Sequence, residues 1–162
     1  MIKPSITISV LSAAICSWAA AADTEEKVSL EKIPAAAAKT LKEHAGDAKI
    51  TNLSKEKDEG TTVYEATFTK KARVHDVSVN EAGKLLSDEE VVPVSEAPEV
   101  VRAALEREAR GGKIQKFERI KEGGKVSYEA LIFGKDKREE IKFDSKGKVI
   151  EREDKTHDKD KD

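Results

Sequence analysis

The strongest constraint on this chain is that it repeats itself: residues 28–90 realign onto 92–154 at one constant offset, without a gap. Ile33-Pro34 falls on Ala97-Pro98, Leu41 on Leu105, Lys49-Ile50 on Lys113-Ile114, Tyr64-Glu65-Ala66 on Tyr128-Glu129-Ala130, and Gly83-Lys84 on Gly147-Lys148. Matches spread along a whole unit mark duplication of a fold, not of a short motif. A unit this short buries only about 60% of its unfolded surface and is marginal alone, so the two copies are expected to support each other in one body.

Before the first copy stands a sequence that reads as an export signal. Lys3 gives a short positive start, residues 6–15 an apolar run, and Ala20-Ala21-Ala22 a small-residue exit ahead of Asp23. Cleavage is expected after Ala22. The apolar run falls short of the roughly 20 residues that span a bilayer. Cys16 opens a lipoprotein alternative, although Ile15 fits poorly just before a lipid-bearing cysteine. Cleavage would remove Cys16, the single cysteine, and the protein would fold without disulfides. The layout read from the chain is a signal peptide at 1–22, a short segment at 23–27, repeats at 28–90 and 91–154, and a disordered charged tail at 155–162. The expected location is periplasmic or secreted, with no stable membrane insertion once the signal is gone.

Each copy begins with a period near four. Ile33, Ala37, Leu41 and Ala45, and again Ala97, Val101, Leu105 and Ala109, line one face of a helix. Pro34 and Pro98 suit the first helical turn, and Gly46 and Gly111-Gly112 can end it. The period then changes to two, punctuated by glycine turns, which predicts four antiparallel strands near 49–57, 61–69, 73–80 and 84–89 and their counterparts. The fold class is therefore α+β: a tandem repeat of one helix packed on a four-stranded antiparallel sheet, the two sheets forming one continuous sheet. Alternation sends Tyr64, Ala66, Phe68, Val77 and Val79 toward the helix, with Tyr128, Ala130, Ile132, Ile141 and Phe143 as counterparts. The opposite face carries Val63, Glu65, Thr67, Asp76 and Ser78 in the first copy. In the second it carries Ser127, Glu129, Leu131, Phe133, Arg138, Glu140 and Lys142.

A proline-opened helix, a strand, a glycine hairpin, a Tyr-Glu-Ala strand and a closing strand pair around Gly-Lys, all present twice, resemble the PepSY-like family of exported bacterial domains. Its members are also described as β-lactamase-inhibitor-like. The resemblance covers nearly all of the chain after the leader. It implies a helix-plus-sheet unit in tandem, with a continuous sheet that presents a concave protein-binding face.

Composition narrows the partner. Charged residues make up 38% of the chain, but 30 Lys and Arg nearly balance 32 Asp and Glu, so there is little net field to attract nucleic acid or an anionic membrane. No Ser-His-Asp, Cys-His, zinc-ligand or phosphate-loop spacing occurs, and no catalytic residue, cofactor or metal is expected. His75 and Asp76 are neighbours on a strand and point to opposite faces, so they cannot form a local pair. His44 closes a helix, His157 lies in the tail, and Asp144-Ser145-Lys146-Gly147 reads as a hairpin turn because Lys146 puts a cation where a calcium loop needs oxygen. Glu65 and Glu129 read as a repeated sheet position balanced by cross-strand Lys or Arg.

The favoured function is a noncatalytic exported binding module, an inhibitor or regulator of an extracytoplasmic enzyme. Its partner would be a protein or peptide of the cell envelope, bound on the face of Val63, Glu65, Thr67, Glu129, Leu131, Phe133 and Arg138. An envelope sensor or small-ligand protein would instead show a pocket between the copies, and an unfamiliar hydrolase a perturbed pair of titratable groups in a cleft.

Overall fold

A computed structural model describes residues 26–58 and 60–156. The leader at 1–22 and His157 lie outside the described residues. Among the described residues, nine strands form a single antiparallel sheet in sequence order: β1 (Glu26–Lys27), β2 (Ile50–Asp58), β3 (Thr61–Lys70), β4 (Arg73–Asn80), β5 (Leu85–Val91), β6 (Lys113–Glu122), β7 (Lys125–Phe133), β8 (Arg138–Asp144) and β9 (Val149–Asp154). Each strand pairs only with its neighbours in the chain, so every connection is short or carries a helix. The two four-stranded units run into one continuous sheet, and β1, supplied by the segment before the first copy, adds a ninth strand that was not expected, against Ser54 and Lys55.

The helices α1 (Ala35–Ala45) and α2 (Glu99–Ala109) occupy equivalent places before β2 and β6. Pro34 and Pro98 stand one residue ahead of the first turn, where their carbonyls accept the Ala38 and Arg102 amides at 2.9 and 3.0 Å. Proline serves well there because its fixed φ (−53° and −52°) orients a carbonyl into the helix and it brings no orphan N–H. α1 ends on Gly46 as read from sequence. α2 ends one residue earlier than its glycine pair, on Arg110 in the left-handed region (φ 49°, ψ 36°).

Both helices pack on one side of the sheet and bury the residues that alternation selected. One apolar cluster joins Ala37, Leu41 and Ala45 to Leu53, Tyr64, Ala66, Phe68, Val77 and Val79. The other joins Val101, Ala104 and Leu105 to Phe117, Tyr128, Ala130, Ile132, Ile141 and Phe143. Ala66 and Ala130 are fully buried, consistent with small residues beneath a crossing helix. Each large side chain buried in this way stabilises by about 1.5–3 kcal/mol.

The hairpins β4–β5 and β8–β9 tuck their glycines against the helices. Gly83 (φ 74°) has the Ala36 carbonyl so close that an added Cβ would sit 2.5 Å from its oxygen, and Thr40 Oγ1 donates to the Gly83 carbonyl at 2.8 Å. Gly147 (φ 78°) stands in the same relation to Val100. Only a residue without a side chain both adopts this backbone and lets helix and hairpin touch.

The two copies meet where β5 pairs with β6, from Ser87↔Glu122 to Val91↔Glu118. On the helix side this seam is ionic. Glu90 binds both Arg73 and Arg119, Arg73 also binds Glu96, and Asp88 lies 3.2 Å from His75 Nδ1 and 3.9 Å from Lys121 Nζ. Backbone pairing and these ion pairs therefore join the two apolar clusters.

Candidate functional site

The candidate site is the sheet face turned away from both helices. Antiparallel partners point the same way, so the registers define its rows. One row runs Ser54, Glu65, Ser78, Ser87, Glu122; the next runs Asn52, Thr67, Asp76, Glu89, Ile120, Ser127, Asp144. Two more run Val91, Glu118, Glu129, Lys142, Glu151 and Lys116, Leu131, Glu140, Glu153.

Several residues in or beside these rows are buried although neither helix lies over them. Ser54, Val63, Ser78, Glu118 and Ile120 are 2–7% exposed, and Val63 and Ile120 belong to neither helix-side cluster. A continuous sheet of many strands twists and coils, and on its inner surface neighbouring side chains converge over the floor. The face is concave.

Carboxylates crowd the middle of that concavity, where the copies join. Burial pushes the Glu89 carboxyl up to about 7, reinforced by the charges of Glu118, Glu65 and Asp76 and opposed by Lys116. Burial likewise pushes Glu129 up to about 8, reinforced by Glu140, Glu89 and Glu118 and opposed by Lys142. Glu118 is raised by burial too, although Lys116 Nζ lies 2.8 Å from its Oε1. For Lys116, burial favours the neutral amine, but the Glu118 hydrogen bond and the charges of Glu118, Asp76 and Glu89 outweigh it and hold the ammonium above its usual range. Lys116 also reaches to 3.8 Å of Asp76 Oδ2, linking β6 to β4 across β5.

The residues singled out from sequence fall on this face with different roles. Val63 is nearly covered at 4% exposure, so it forms floor and offers no contact surface, a correction to the sequence reading. Glu65 Oε2 accepts a hydrogen bond from Ser78 Oγ at 3.1 Å, and Thr67 Oγ1 donates to Asp76 Oδ1 at 2.6 Å. Glu129 stands among the acids at the seam. Lys142 is opposite Glu129 in register, as expected, but its ammonium lies 3.7 Å from Glu122. Leu131 is half-buried between Lys116 and Glu140, and Phe133 is exposed at the rim with the Arg138 guanidinium 5.1 Å above its ring.

Sequence reasoning missed Glu89, Glu118 and Lys116. The signal lay in the β5–β6 pairing, which joins different copies and so leaves no trace in the repeat itself.

The other candidates settle into structural places. His75 and Asp76 do point to opposite faces: His75 stacks on Phe68 and pairs with Asp88 on the neighbouring strand β5, while Asp76 meets Thr67. The His44 carbonyl accepts Lys70 Nζ at 2.8 Å. Asp144 Oδ1 accepts the Lys146 and Lys148 amides, both at 2.9 Å, as a turn residue does. Among the described residues no cluster of three or more His, Cys, Asp or Glu side chains is arranged to hold a metal ion. A depression of about 380 Å³ is lined by Glu122, Val126, Ser127, Lys142, Ile150 and Glu151, all from the second copy.

Solved structures share this architecture. A DUF2874 family protein from Bacteroides ovatus superposes with a TM-score of 0.64 at 14% identity, covering 79% of this chain and 92% of that one. A "putative periplasmic" protein from Bacteroides eggerthii gives 0.64 at 18% identity, covering 76% and 90%. A BLIP-like protein from Bacteroides fragilis gives 0.60 at 16% identity, covering 78% and 90%. At these identities the likeness is one of fold. A search of curated proteins returns no match. The family model described as "Putative beta-lactamase-inhibitor-like, PepSY-like" matches twice, at residues 14–87 and 64–151, and the chain belongs to this PepSY-like family.

Proposed function

We propose that the protein is a noncatalytic exported binding module that grips a protein or peptide of the cell envelope in the concave sheet face, and so inhibits or regulates an extracytoplasmic enzyme. One observation carries this reading: the sheet is layered by helices on one side only, and the side left open among the described residues still buries Ser54, Val63, Ser78, Glu118 and Ile120, as an inward-curving surface does. A helix-over-sheet unit normally buries one sheet face, and joining two such units side by side doubles the free one. The face holds Glu65 and Glu129 at equivalent points of the two copies, with Leu131, Phe133 and Arg138 toward one end. Arg138 is of a residue type that anchors protein interfaces, and Phe133 of one enriched in them.

A periplasmic or secreted location fits the signal-like sequence at 1–22, and no helix among the described residues is long and apolar enough to cross a membrane. The family's inhibitor-like description and the BLIP-like neighbour support a binding role. The division into repeats at 28–90 and 91–154 belongs to the same reading.

The test is parallel affinity capture from the native envelope with wild type and with a Phe133→Ala, Glu129→Lys double variant as baits. A protein retained by wild type and lost by the folded variant supports the face. Equal retention by both places the binding surface elsewhere.

A further inference from the structure

We propose that the carboxylates crossing the β5–β6 seam make the junction of the two copies a pH-responsive joint, tight while Glu89 and Glu129 carry protons and loosened when they ionise. The argument begins with position. Among the described residues β5 and β6 are the only strands whose pairing joins the two copies, and each copy keeps its own apolar cluster, so the seam depends on its ladder and its ion pairs. On the helix side each acid has a cationic partner, with Glu90 between two arginines and Asp88 3.9 Å from Lys121 Nζ and beside the His75 ring. On the concave side the acids outnumber the ammonium groups.

Glu89 on β5 faces Asp76 on β4, Glu65 on β3, and Glu118 and Lys116 on β6. Glu129 on β7 faces Glu118 on β6, Glu140 and Lys142 on β8, and Glu89 across the seam, with Glu151 of β9 beyond Lys142 in the same row. Three ammonium groups thus stand among these carboxylates, and one of them, Lys155, is taken up by Glu140 at 3.5 Å and Glu153 at 2.9 Å. Lys116 is drawn to Glu118 and Asp76, and Lys142 toward Glu122. Removing the last protons places like charges on both sides of one ladder within a half-buried surface, where screening is weaker than in bulk water.

The direction of the effect follows from linkage. Both carboxyls hold their protons more tightly folded than unfolded, with Glu89 pushed up to about 7 and Glu129 to about 8. A group raised on folding contributes stability that is present in full below its unfolded value. That contribution is lost as pH rises through the folded one. The joint is therefore tightest below about pH 4.5 and weakens as pH rises from there to about 8, where the loss is complete.

The test measures urea midpoints from pH 5.5 to 8.5 for wild type, Glu89→Gln, Glu129→Gln and the double variant. Alongside, hydrogen-exchange protection factors, corrected for the intrinsic pH effect, are read on Ser87 to Val91 and Glu118 to Glu122. We expect the wild-type midpoint to fall as pH rises, with seam protection falling roughly tenfold or more. Each single variant should lessen the fall, and the double variant should remove most of it. A wild-type midpoint that is flat or rises with pH overturns the proposal, and so does a double variant that keeps the full wild-type fall. If the double variant does not fold, carboxyl-carbon NMR titration of wild type decides: Glu89 and Glu129 midpoints both in the ordinary glutamate range overturn it.

Discussion

Replacing Gly147 with alanine should cost far more than the same change at a glycine of equal backbone geometry elsewhere. Two effects add at Gly147. Its φ of 78° lies where an L-residue pays roughly 1–2 kcal/mol. The new Cβ would also overlap the Val100 carbonyl oxygen, lie 2.9 Å from the Val100 carbonyl carbon and touch the Ala104 Cβ at 3.4 Å. Carbon contacts are comfortable near 3.5–4.0 Å, so the β8–β9 hairpin must lift from α2 by something on the order of 0.5–1 Å. Ala104 and Leu105 of α2 are buried in the second apolar cluster, and overpacking of this kind costs typically about 1–3 kcal/mol. The sum is about 2–5 kcal/mol. Gly124 supplies the control: its φ is 77°, and nothing lies within 4 Å of an added Cβ. Gly124→Ala therefore pays the backbone cost alone. Urea denaturation of both variants isolates the contact as the difference between them, about 1–3 kcal/mol. Equal destabilisation would refute the claim that hairpin and helix meet through this glycine, and Gly83→Ala should repeat the result against Ala36 in the first copy.

Three further outcomes are expected. Leu105, 1% exposed in the second cluster, should cost about 2–5 kcal/mol when cut to alanine, with segment-resolved hydrogen exchange showing lost protection in both copies. A first copy left untouched would argue against one cooperative body. Lys71 and Ala72 turn the β3–β4 hairpin with φ of 51° and 62°, so an Asn-Gly pair in their place should stabilise the fold by about 1 kcal/mol, seen as a raised thermal midpoint. Phe133→Ala should cost about 1–2 kcal/mol of stability, because the ring is 37% exposed and lies under the Arg138 guanidinium, and should weaken partner binding by at least about 1 kcal/mol in calorimetry while the protein stays folded.

The sequence was most legible where one periodic pattern meets one burial demand. The four-residue spacing of Ala37, Leu41 and Ala45 and the alternation of Tyr64, Ala66 and Phe68 place these side chains in one cluster. What stayed hidden arises between segments. The β1 strand consists of exposed Glu26 and Lys27, held by pairing with Ser54 and Lys55, and two charged residues carry no strand period. Arg110 takes the left-handed position although glycines follow it, since its place at the end of α2 outweighs intrinsic preference. Alternation correctly gives the direction of the Val63 side chain but cannot reveal the curvature that buries it. The acidic centre depends on the registers of β5 and β6, which set Glu89 beside Ile120 and Val91 beside Glu118. No local propensity encodes that register.

The most direct test of the binding face is side-chain footprinting of the protein alone and in complex with the partner that affinity capture retains. Carbodiimide labelling reports Glu140 and Glu153 on the concave face and Glu99 and Glu106 on α2; hydroxyl-radical oxidation reports Phe133. The account predicts that the complex protects Glu140, Glu153 and Phe133 severalfold and leaves Glu99 and Glu106 as reactive as before. Protection confined to the helix-side glutamates, with the concave face still reactive, would contradict it.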